Sequence, residues 1–66
     1  MNYTDILYHK TCEIPVKLTH QCINEHGIEP YEIFRINKII GDFEQLIIVN
    51  QFNQKFTINP NQLSDE

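Results

Sequence analysis

Five residues in the first half of the chain carry side chains that can bind a metal or attack a carbonyl: His9, Cys12, His20, Cys22 and His26. They are all of the histidines and cysteines, and they form an H-x-x-C pattern (His9 to Cys12) and an H-x-C pattern (His20 to Cys22). Tetrahedral zinc takes four such donors, and the resulting bonds supply folding energy that a short chain needs. The spacing does not match paired C-x-x-C knuckles. A buried cysteine also serves simply as a small hydrophobe, and the chain is rich in Ile for a core. The favoured expectation is a chain without a cofactor, with zinc on four of these five residues as the alternative. Cys22 with His20 or His26 would also suit a nucleophile and its base. That chemistry further requires an oxyanion hole and a concave pocket, and two glycines leave little for a phosphate-cradling loop. The acidic pairs Glu29/Glu32 and Asp42/Glu44 lie beside turns, where solvated charge is ordinary. The chain is expected not to be an enzyme.

Binding by a surface is the other chemistry on offer. Tyr8, Tyr31, Phe43 and Phe52 are aromatics that the strand pattern does not place inside. Phe52 stands out, because it falls at a hairpin tip that has no need of a large apolar ring. Aromatics dominate protein interfaces, which makes these four the candidate anchors. The competing role for each is to cap the open end of a small barrel.

The elements that would hold these residues are clearest from the C-terminal side. Phe56 and Ile58 alternate with Lys55, Thr57 and Asn59, the period-two signature of a half-buried strand that Pro60 ends. Upstream, Leu46 to Val49 is apolar on both faces and reads as a central strand. Between them, Asn53 tolerates the left-handed region that a tight turn requires. "YEIFRINKI" supplies a third strand, with Phe34 and Ile36 on one face alongside Glu32 and Lys38. Gly41-Asp42 turns it toward the central strand. The expected meander is 31–39, 45–51 and 54–59, with Leu63 folding back after Pro60 to plug one end of a barrel. In the N-terminal half, Ile14, Val16 and Leu18 alternate as a strand would. A strand followed by an irregular turn is favoured there over a short helix from about Val16 to His26 ended by Gly27. Tyr3 to Tyr8 reads as a further strand or a frayed arm.

Composition agrees with a strand-rich fold. Among 66 residues there are eleven Ile and no Ala or Trp. Ile suits a pleated surface, and Ala is the best helix former. A single domain, residues 1–66, is expected, burying only ~60% of the surface its unfolded chain exposes. Nine acids face five Lys plus Arg, for a net charge of −4. That balance argues against a nucleic-acid binder, which needs cations to displace counterions from phosphate. No apolar run approaches the ~20 residues of a membrane span. The segment Met1 to Lys10 contains Asp5 and no basic n-region, which does not fit an export signal. A cytoplasmic location with reduced cysteines is therefore expected.

The short strands, tight turns and closing "TINPNQL" turn resemble the C-terminal half of an SH3-like small barrel, over roughly residues 31–63. The resemblance implies a mainly β small antiparallel barrel or meander, with room for one short helix in the N-terminal half. It transfers no binding residue, because the chain lacks the Trp platform of peptide-binding SH3 domains and the basic residues of ribosomal and transcriptional barrels. The short, acidic, Ile/Asn-rich style also resembles small accessory proteins of bacteria or phages. The expected function is a small protein-interaction or regulatory module whose partner is another protein, not nucleic acid or a membrane. A monomer or weak homodimer is expected, and a zinc-stabilised binding module is the alternative.

Overall fold

A computed structural model describes residues 1–65. In chain order the elements are helix α1 (Tyr3–Thr11), helix α2 (His20–His26), strands β1 (Phe34–Ile40), β2 (Gln45–Asn50) and β3 (Lys55–Ile58), and a 3-10 turn at Pro60–Gln62. The strands form one antiparallel sheet in the order β1-β2-β3. The expected meander is present, and the apolar Leu46–Val49 run occupies its central strand. The barrel is not: three strands leave the sheet open, with helices over one face. The fold is mixed α/β and strand-rich.

Residues 3–11 are a helix, not a strand or an arm. Asn2 caps it, its Oδ1 accepting from the Asp5 N–H at 2.8 Å, and Asp5 in the first turn and Lys10 in the last complement the helix dipole. Only Ile6 of this helix is buried. One inward residue makes no periodic stripe, which is why the helical signal is weak in the sequence. The chain leaves α1 through Glu13, at φ 55°, with Ile14 N–H bonding His9 O at 2.9 Å. This is a Schellman ending built without glycine.

Residues 14–26 combine the two alternatives. Val16 and Leu18 are extended, as their alternation implies, and each makes a single bridge: Val16 to Phe34, and Leu18 to Leu63. A helix follows, but it begins at His20 and not near Val16. Thr19 Oγ1 caps it by accepting from Cys22 N–H, and Gly27 ends it at φ 62°. Leu63 is buried as expected, though it seats against Leu18 instead of plugging a barrel.

A bulge at Asn37 re-aims half of β1. Ile36 pairs with Ile48, but the next pair is Lys38 with Ile47. The extra residue reverses the alternation, so Ile39 turns toward the core and Lys38 toward the opposite face. The expected grouping of Lys38 with Phe34 and Ile36 is thereby corrected. The core gathers Ile6, Val16, Leu18, Cys22, Phe34, Ile36, Leu46, Ile48, Ile58 and Leu63 on the helix-covered side.

Candidate interaction site at the second hairpin

The β2–β3 hairpin is organised by a buried amide. Asn50 is 2% exposed and follows Leu46 and Ile48 on the core face. Its Oδ1 accepts from the N–H groups of Phe52 (2.9 Å) and Gln54 (3.0 Å). Its Nδ2 donates to Glu32 Oε1 and to Gln54 Oε1, both at 2.8 Å. All four of its side-chain hydrogen-bonding positions are thus used, which is the condition for burying an amide without loss. Asn53 sits at φ 63°, the left-handed conformation expected of it. Asn50 is a residue the sequence reading missed. The available signal was parity: 46, 48 and 50 share one face of a strand.

The turn so fixed holds Phe52 outward, 58% exposed. Its ring meets Tyr31 edge-on, with centroids 6.4 Å apart and planes at 78°. Tyr31 is 64% exposed, and Ile33 beside it is also exposed. The strand begins at Phe34, not at Tyr31, so Tyr31 and Ile33 have no partner in the strand ladder. Gln51 substitutes for one: its Oε1 accepts from Ile33 N–H at 2.8 Å and its Nε2 donates to Tyr31 O at 2.9 Å. Two of the four candidate anchors are therefore brought together and held.

The other two are elsewhere. Phe43, at φ 60° in the β1–β2 turn, is half-buried and stacks on Tyr3, with centroids 4.4 Å apart. Tyr8 lies exposed on α1 with its edge contact to His9 at 5.9 Å. Tyr3 and Leu7 are also exposed on this helix, four residues apart, a placement that reading 3–8 as a strand or a frayed arm does not give.

The Cys/His set does not converge. Among the described residues, no three of His, Cys, Asp and Glu are grouped as metal ligands would be. His9 turns its Nδ1 to Asp5 O at 2.7 Å, and the His26 ring packs edge-on to Phe56. His20 borders an open cleft of about 450 Å³ between α2 and the 16–18 segment, lined also by Ile23, Ile28 and Glu32. Cys12 is exposed, and Cys22 is fully buried in the core. Burial pushes the Cys22 thiol up from its ordinary value, and the Glu25 carboxylate adds to this. Both effects oppose the thiolate that a nucleophile or a zinc ligand requires. A thiol reagent is expected to label exposed Cys12 at least tenfold faster than buried Cys22. Added zinc is expected to leave the Cys12 rate and the melting temperature unchanged. Protection of both thiols by zinc would instead assign them as ligands.

Comparison of the chain with protein-family models, curated proteins and solved structures gives no match. No helix among the described residues is long and apolar enough to cross a membrane.

Proposed function

We propose that the chain is a small, non-enzymatic, cytoplasmic protein-interaction or regulatory module, and that Phe52 and Tyr31 anchor its partner. The observation that carries this reading is the exposed Tyr31–Phe52 pair, backed by the Asn50 and Gln51 hydrogen bonds. A ring held in place before binding loses little conformational freedom on complex formation, so its apolar area counts more fully toward affinity. β3 stands at the sheet edge next to this turn, which offers a partner backbone hydrogen bonds as well. No observation favours the zinc-stabilised alternative.

Phe52→Ala is expected to weaken the partner complex by about 1–2 kcal/mol, the range for an interface aromatic outside the deepest hot spots. Affinity capture from the native host, followed by titration of the recovered protein against wild type and variant, measures it. The melting temperature should stay close to that of wild type. A thermal loss as large as that of Phe56→Ala would identify Phe52 as a core plug and overturn the anchor.

A further inference from the structure

The five cations are dispersed in the sequence, but strand pairing brings three of them, Arg35, Lys38 and Lys55, onto one face. Arg35, Val49 and Lys55 are register partners across the three strands, and Lys38, Ile47 and Thr57 are the next such row. Residues paired in register share a face. Ile40 and Gln45 complete the row beyond. This is the sheet face opposite the core, and every one of these eight residues is exposed or half-buried. Lys10 of α1 borders the same face, in an open trough of about 650 Å³ that Glu13, Arg35, Val49, Asn53 and Lys55 also line. Four of the five Lys and Arg thus meet on one side of a chain whose net charge is −4. Glu13 is the carboxylate that shares the trough. Among the described residues the ion pair joins the Met1 amino group to Asp65, so none of the four cations is in direct contact with a described carboxylate.

We propose that this open face docks an acidic, aliphatic-bearing polypeptide segment of another protein, with Arg35, Lys38 and Lys55 receiving its carboxylates and Ile47 and Val49 its apolar side chains. Charge complementarity carries the choice of partner. Arg gives a planar fork for a carboxylate, and the two flanking lysines add point charges. The aliphatics between them, Ile47 and Val49, are still partly in water and gain from its removal. Single-stranded nucleic acid fits less well: none of the eight paired residues is aromatic, and the exposed rings of Tyr31 and Phe52 lie beyond the paired rows. This surface adjoins the Tyr31–Phe52 turn, since Ile33 and Gln51 line a recess with Arg35 and Asn53 lines the trough with Lys55, but none of its proposed contacts uses either ring.

The test uses a fluorescent peptide of alternating Glu and Val, with its Gln-for-Glu counterpart as control, and fluorescence anisotropy as the readout. The Glu peptide is expected to bind the protein at low salt, at least tenfold more tightly than the Gln peptide, and to weaken as salt rises. Arg35→Glu combined with Lys55→Glu is expected to weaken it at least tenfold, whereas Lys17→Glu, off this face, changes it less than twofold. Arg35→Gln with Lys55→Gln provides a milder pair should the reversal unfold the protein. Circular dichroism checks each variant, and Phe52→Ala is expected to bind this peptide as wild type does. Equal affinity for the Gln peptide, or equal loss in Lys17→Glu, would overturn the proposal. So would tighter binding to an oligo-dT strand or to phosphatidylserine vesicles than to the Glu peptide. Sedimentation showing that the wild type covers this face by self-association, lost in the double reversal, would overturn it as well.

Discussion

Asn50→Asp is expected to destabilise the fold by about 2–4 kcal/mol at neutral pH, and acidification should return part of that stability. The substitution keeps the shape and the acceptor oxygen but replaces the Nδ2 donors with a second acceptor. Asn50 Nδ2 now stands 2.8 Å from Glu32 Oε1. An aspartate there would set two carboxylates against each other in a largely buried position, leaving a charge without a partner. Such a pair holds a proton well above the ordinary carboxylate range. The sign follows from linkage: folded-state affinity for that proton is raised, so the stabilised protonated form is fully present below the unfolded carboxylate range and lost as pH rises through the folded value. Urea titrations across pH 4–8 measure the effect. Glu32→Gln in the Asn50→Asp background is expected to recover more than half of the loss, because an amide again faces a carboxylate. A pH-independent loss with no recovery in the double variant would show that the Glu32 contact is incidental.

Ile48→Ala should cost about 2–5 kcal/mol, the range for truncating a fully buried aliphatic that leaves a cavity. Ile48 has no exposed surface and lies mid-way along the central strand, with Ile36 and Phe56 as its register partners. A domain of 66 residues has on the order of 3–10 kcal/mol in total, so this change alone approaches global unfolding. Ile47→Ala, one residue away on the opposite face, should cost under ~1.5 kcal/mol, since its side chain is already partly in water. Equal losses at the two positions would mean that the outer face of the sheet is covered too, and the docking surface assigned to it would fall.

These two neighbours illustrate what was legible in the sequence. The Leu46–Val49 run announced a central strand, and Asn53 announced its turn, because both signals are local and chemical. Helix α1 was obscure because its core contribution is Ile6 alone, and the cap at Asn2 carries little weight without an apolar stripe behind it. The bulge at Asn37 has no glycine or proline to mark it, yet it decides which face Lys38 joins. The grouping of Lys10, Arg35, Lys38 and Lys55 depends on three-dimensional pairing and is absent from any linear count of charge. Of the candidate anchors, Phe52 and Tyr31 lie 21 positions apart along the chain, and their edge-on contact is supported by Gln51, whose side chain stands in for a strand partner.

The bridges at Leu18–Leu63 and Val16–Phe34 set an order of assembly. Each strand of the sheet finds its neighbour across a turn of a few residues, so both hairpins form at small entropic cost. The Leu18–Leu63 contact must instead close the whole stretch of chain from residue 18 to residue 63, and it is reinforced by Thr19 N–H to Gln62 O at 2.9 Å and Ser64 N–H to Lys17 O at 2.8 Å. Contacts so distant along the chain are rewarded only after the intervening elements are in place. The hairpins therefore serve as the template, and the 16–19 segment closes over them as a late clasp. Breathing of the native state follows the same hierarchy in reverse, with the clasp releasing before the central strand is disturbed.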